Sequence, residues 1–166
     1  MASEHATKVE TGLDTFITPE ALLNHWQGHR RVTRRMIEAY PEDQLFTFSV
    51  GSMRPFGELV KEMLVMTTPM VAGAITGDWS GYSDASATTR AELLAQWDKT
   101  TEKLNELFPQ IPADRFQETL TAFGMYTGPL HDLLLYVIDN EIHHRGQGSV
   151  YMRALGVEPP LFYVRD

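Results

Sequence analysis

The sequence predicts an all-α protein, a four-helix bundle with a long irregular connection between its third and fourth helices. Three observations carry this. Four segments repeat apolar side chains at steps of three and four, the spacing that lines one side of a 3.6-residue helix. Capping residues stand at the ends of the first, third and fourth segments. No repeat, low-complexity tract or linker divides the 166 residues, a length that suits one domain with a sizeable core. Residues 1–17 are expected to be a polar tail, and 18–166 a single domain.

Thr18-Pro19-Glu20 opens the first helix, with Thr18 as N-cap, Pro19 at the first helical position and an acid in the first turn. Leu22, Leu23, Trp26, His29, Val32 or Thr33, Met36 and Ile37 carry it to Tyr40, where Pro41 ends it. Arg30-Arg31 with Arg34-Arg35 are expected to form a solvated flank. Asp43 to Phe56 is a connection. A second helix follows from about Pro55 to Thr76, turning Phe56, Leu59, Val60, Met63, Leu64 and Met66 or Thr67 to the core. Pro69 predicts a kink or early end, since it removes a ladder bond and clashes with the preceding turn.

Gly77 to Ala87 is turn-rich, and Trp79 and Tyr82 are available to fold back on the bundle. The third helix runs from Thr88 or Thr89 to Phe108, with Glu92 completing a capping box on Thr89. Its stripe is Leu93, Leu94, Trp97, Thr100 or Thr101, Leu104 and Leu107. Pro109 to Thr127 forms the irregular connection, with a short extended piece around Glu118 to Met125. The fourth helix runs from Pro129, suited to a first helical position after a Gly128 or Thr127 cap, to Gly156, suited to an αL stop. His131 is expected to be peripheral there.

The formal charge of −8 argues against nucleic acid as a partner. The absence of cysteine removes disulfides, thiolate metal sites and a cysteine nucleophile. Met1 to Asp14 has no apolar run of the signal-peptide kind. Met63 to Ile75 is too short to span a bilayer and is interrupted by Pro69, so no membrane is expected and the cytoplasm is the expected compartment. Glycine loops for nucleotides and a Gly-x-Ser-x-Gly elbow are also missing, and Ser149 reads as a helix-surface hydroxyl.

Chemistry concentrates in the last helix, at Asn140-Glu141-Ile142-His143-His144-Arg145-Gly146-Gln147. Leu130, Leu134, Val137, Glu141, His144, Gly148, Tyr151 and Leu155 share its inner side. Asn140 and His144, four apart, project one above the other on or beside that side. Two such nitrogen- or oxygen-bearing groups can grip one divalent ion. His143 points elsewhere, to the surface or an interface. Gly146 and Gly148 each cost about 1 kcal/mol relative to Ala, which a close helix contact within the bundle or across a dimer would explain.

This stretch, with Tyr151-Met152-Arg153-Ala154-Leu155-Gly156 and Pro159-Pro160, resembles the last-helix signature of the DinB/YfiT-like family (not the DNA polymerase of the same name). Phe56-Gly57-Glu58-Leu59-Val60-Lys61-Glu62-Met63 is similar to the family's second-helix segment. The resemblance covers most of residues 18–164 and implies a four-helix bundle with an internal metal site. There the family takes one histidine from the second helix and two from the last; by position these are Glu62, Asn140 and His144 here. Such a set is looser for soft metals than three imidazoles and shifts preference to harder ions.

Two alternatives stay open: the trio holds a metal, or Asn140 and Glu62 hydrogen-bond His144 as a polar plug. His25 and His29 on the first helix are a second i, i+4 pair. They either pack beside Trp26 or, where the resemblance places the pocket, supply the missing imidazole. One functional reading is therefore a metal-dependent enzyme, transferring a thiol to electrophiles or hydrolysing amide-like bonds, with Zn, Ni, Mn or Fe as cofactor. The other is a metal-free, stress-associated binding or scaffold protein, with a pocket of Trp26, Met63 and Tyr151 for a small apolar ligand. Family members are often dimers, so a homodimer is expected.

Overall fold

The computed structural model describes residues 16–166, in which four α-helices dominate: α1 (Pro19–Ala39), α2 (Phe56–Thr76), α3 (Arg90–Leu107) and α4 (Leu130–Ala154). Thr18 Oγ1 accepts the Ala21 amide at 3.1 Å to start α1, and Thr89 with Glu92 forms a complete capping box on α3. Gly156, at φ 75°, terminates α4 in the left-handed region that costs glycine nothing. α1 and α2 each pack against both α3 and α4. They therefore stand diagonally opposite one another, and the chain from Tyr40 to Pro55 crosses between them.

The interior holds two apolar clusters. One gathers Trp26, Met70, Phe108 and Leu134; the other gathers Met36, Phe56, Met63, Trp97 and Tyr151. Gly148 lets α2 approach α4, because a Cβ there would lie 2.5 Å from two Phe56 ring carbons and 3.0 Å from Met36 Sδ. The helix contact expected of the two glycines thus belongs to Gly148, within the chain. Gly146 faces outward, where an added Cβ meets nothing within 4 Å.

Several expectations are corrected. Pro69 neither shortens nor ends α2, which continues to Thr76 and turns out at Gly77 (φ 79°). α2 is consequently long and apolar enough to cross a membrane by length and composition, yet about half of that apolar window (56%) is buried against the other helices. The short extended piece expected around Glu118 to Met125 is present as β1 (Thr119–Ala122), but it is half of an antiparallel hairpin with an unexpected β2 (Tyr126–Pro129), reversed through Phe123 (φ 53°) and Gly124 (φ 67°). Pro129 ends β2 and stands at the N-cap of α4, without a side-chain cap, because strand pairing with Thr119 holds it extended. Trp79 does fold back, against Gly73, but Tyr82 is 79% exposed.

Arg30 is no part of a solvated flank: it is 1% exposed. Its guanidinium lies 3.7 Å over the Trp97 ring and donates to Thr101 Oγ1 (2.7 Å) and the Trp97 carbonyl (3.1 Å). The apolar pocket expected from Trp26, Met63 and Tyr151 does not form, since all three are packed solid in the two clusters. The tail expected over residues 1–17 falls almost wholly outside the described residues.

Candidate functional site

Facing turns of α2 and α4 bring Glu62, Asn140 and His144 together. Glu62 Oε1 accepts from Asn140 Nδ2 at 3.0 Å and lies 2.9 Å from His144 Nε2, which donates to it. The other face of the ring, Nδ1, meets the Gln147 amide at 2.7 Å, so carboxylate and amide fix the imidazole from both sides. Arg54, from the connection before α2, donates to Glu62 Oε2. The backbone of Arg54 is tied to α4 by the Tyr151 hydroxyl, which donates to its carbonyl at 3.2 Å.

The cluster sits at the edge of the interior. The His144 side chain is 9% exposed and that of Glu62 30%. Burial works to raise the Glu62 carboxyl, but hydrogen bonds from Arg54, Asn140 and His144 outweigh it and hold the group down at about 2. Glu62 is thus a carboxylate at neutral pH. Asn140 Oδ1 is buried and has no hydrogen-bond partner among the described residues. A buried acceptor without a partner calls for a water or an ion beside it.

A divalent ion of hard or borderline character could take the charged carboxylate and the amide oxygen without another partner as they stand, but the imidazole only after His144 Nε2 gives up the proton it donates to Glu62. Arg54 opposes it, because its guanidinium already neutralises Glu62. Among the described residues no three His, Cys, Asp or Glu side chains gather in one place, so any ion here depends on the amide.

His25 and His29 pair with each other instead, Nε2 to Nε2 at 3.2 Å. Arg145 Nη2 donates to His29 Nδ1 at 2.9 Å. That donation requires a lone pair on Nδ1, so the His29 proton sits on Nε2 and is given to His25. In this arrangement His29 Nε2 has no lone pair for a metal. Burial chiefly, then the charges of Arg145, Arg165 and His25, press His29 down to about 3. His25 is lowered by burial and by Arg165, against Asp139.

Behind the site lies a buried charged network that the sequence reading did not assemble. Glu141, 2% exposed, accepts from Thr33 Oγ1 at 2.7 Å and Trp26 Nε1 at 3.2 Å. Arg30 and Arg145 each approach it to 3.9 Å. Arg145 also donates to the His29 carbonyl (3.1 Å) and Thr33 Oγ1 (3.2 Å). The signal was available: Glu141 falls on the apolar stripe of α4, and a carboxylate there needs partners. Arg54 and Gln147 carried no such signal.

Comparison with known proteins yields a family and a fold. A family model described as the DinB family matches residues 11–166. The uncharacterized protein YjoA of Bacillus subtilis is 27% identical over 146 residues, covering 86% of this chain and 94% of that protein. The crystal structure of that DinB-like protein matches with a TM-score of 0.72 at 25% identity, over 87% of this chain and 99% of its own. A DinB-like protein from Bacillus cereus matches with a TM-score of 0.74 at 19% identity, over 90% of this chain and all of its own (100%).

Proposed function

This chain belongs to the DinB family, and from that premise we propose that it is a four-helix bundle with a divalent-metal site formed by Glu62, Asn140 and His144, serving a metal-dependent transferase or hydrolase. The observation that carries the reading is the meeting of Asn140 Nδ2 and His144 Nε2 on one oxygen of Glu62, at 3.0 and 2.9 Å, beside the unpartnered Asn140 Oδ1. A bound ion of the Mn, Fe, Ni or Zn class lowers the pKa of a coordinated water or thiol, making an anionic nucleophile at neutral pH. Glu62 would supply the negative charge once Arg54 swings off its carboxylate. Gln147 sets the angle of the His144 ring, and Asn140 offers its amide oxygen from one turn earlier on α4. Arg54 stands at the open side, where it can release Glu62 or meet an anionic substrate.

The test is metal content of untagged protein purified without a chelating column, together with thermal unfolding in added Mn²⁺, Fe²⁺, Ni²⁺ or Zn²⁺. An ion at about 100 times its Kd stabilises by about 2.7 kcal/mol, a rise of about 5 to 10 °C for a chain of this size. Glu62→Gln should abolish the rise. The absence of both stoichiometric metal and any shift overturns the reading.

A second reading is favoured by the Arg54–Glu62 ion pair. With an arginine as counter-ion and His144 as donor, the cluster closes on itself as a polar plug. The protein would then be a metal-free homodimer that binds a small ligand or acts as a scaffold.

A further inference from the structure

The outer side of α4 carries a surface cavity of about 400 Å³ that the metal reading does not use. α4 lines it with Ile142 and Gly146, and the C-terminal strap with Phe162 and Tyr163; its charged lining groups are Arg145 and Arg153, and no acid lines it. This volume falls within the range of small-molecule sites, about 300 to 1,000 Å³.

Three independent features suggest an occupant. First, glycine weakens a helix interior relative to alanine, yet a Cβ on Gly146 would meet nothing within 4 Å. Packing within the chain explains Gly148 and leaves Gly146 open over the cavity. Second, the strap is held in place while its apolar side chains are not covered. Arg31 Nε and Arg35 Nη1 donate to the carbonyls of Arg165 (2.7 Å) and Asp166 (2.9 Å), yet Phe162 and Tyr163 remain 66% and 64% exposed.

Third, the charge here opposes that of the whole chain, −8. Arg145 is 4% exposed, and its Nη1 and Nη2 are fixed by His29 and Thr33, leaving Nε–H without a partner among the described residues. Glu141 compensates Arg145 from within, while Arg165 adds further positive field from without. Arg153 has only the exposed Glu158 carboxylate, at 3.2 Å, a rim pair of the kind that contributes little and is readily exchanged. One buried and one exposed guanidinium beside aromatic walls suit a single carboxylate on an apolar body.

We propose that this cavity binds a small organic monocarboxylate with an aromatic or branched apolar body, its carboxylate held by Arg153 and Arg145 and its body lying over Gly146 against Phe162 and Tyr163. The site is independent of the metal reading: Asn140 and His144 face α2, and this cavity lies on the other side of α4.

The test is calorimetric titration of the full chain with phenylacetate, and with 2-phenylethanol as its neutral counterpart. Phenylacetate is expected to bind saturably and about ten-fold tighter than the alcohol, the equivalent of about 1.4 kcal/mol. Arg153→Gln should erase that ten-fold preference and leave the alcohol unchanged. Gly146→Leu fills the cavity floor and should remove binding of both, with thermal unfolding verifying that the variant is folded. Phe162→Ala, at an exposed strap position, should weaken both if Gly146→Leu does not fold. No saturable phenylacetate binding up to about 10 mM, equal affinity for the two probes, or wild-type affinity in a folded cavity variant overturns the proposal.

Discussion

Replacing Glu141 with glutamine removes one charge and almost no volume. Two guanidinium groups, Arg30 and Arg145, lie 3.9 Å from its carboxylate at 1% and 4% exposure. At an effective dielectric of about 20, each attraction is worth about 4 kcal/mol gross. Desolvation of the three ions offsets much of this, and breaking such a buried arrangement from one side costs about 3 to 5 kcal/mol net, because the cations stay buried without their partner. The glutamine can still accept from Trp26 Nε1 and can donate to Thr33 Oγ1, whose own proton then goes to the His29 carbonyl, 3.2 Å away. The loss is therefore electrostatic. Urea unfolding of Glu141→Gln should show a fall of at least about 3 kcal/mol with an unchanged m-value, and Tm should drop by about 6 to 12 °C. Because the charges are shielded from solvent, the difference should persist in about 0.5 M salt, where the Debye length is only a few ångströms. A variant within about 1 kcal/mol of wild type would mean that the two arginines do not depend on Glu141.

His29, held neutral and lowered to about 3, contributes stability that is complete above its unfolded value near 6.5 and is lost as pH falls towards 3. The unfolding free energy from urea titrations should fall between pH 6.5 and 4.5, by up to about 1.4 kcal/mol per pH unit for this one proton, and His29→Gln should flatten that slope. Glu62, lowered to about 2, gives a second loss that begins only below about 4.5 and should vanish in Glu62→Gln. Gly148→Ala drives a Cβ to 2.5 Å from the Phe56 ring and should destabilise by about 1 to 3 kcal/mol. Gly146→Ala meets no neighbour and should stabilise by about 0.5 to 1 kcal/mol in the same denaturant assay. Thr89→Ala removes the capping box of α3 and should cost about 1 kcal/mol by chemical denaturation.

Helix positions were legible because they depend on local chemistry that the chain states outright. Thr18, Thr89 and Gly156 mark three helix ends, and the apolar steps mark the inner faces. The hairpin was only half legible: its strands are short, and the turn uses Phe123 at positive φ, which no turn rule favours for a bulky side chain. Pro69 misled because a helix continues past a proline when the surrounding core holds both halves, and Pro69 is itself buried in α2. At the site, residue spacing places Asn140 and His144 together, and the family resemblance adds Glu62. Arg54 lies on an irregular connection, where no periodicity says which way a side chain points. Arg30 was misread because four basic residues within six (Arg30, Arg31, Arg34 and Arg35) resemble a solvated face, although its position one turn after Trp26 leaves it between α1 and α3.

The segment Asn140–Arg145 contains two i, i+4 pairs offset by one residue, and that offset organises the molecule. A step of one residue turns about 100° around a helix, so Asn140 and His144 meet α2 while Glu141 and Arg145 meet α1. The first pair lies where solvent reaches Glu62; the second is buried against Trp26, Thr33 and Arg30, with Arg145 also lining the outer cavity. Both span the same two turns of α4, so the buried pair fixes the rotation and height of the helix on which the imidazole is carried. A shift of α4 along α1 would break contacts from Glu141 and Arg145 to four α1 side chains at once, Trp26, His29, Arg30 and Thr33. The charged network thereby holds His144 opposite Glu62, and what an apolar replacement of that network would gain in burial it would surrender in the positioning of the candidate site.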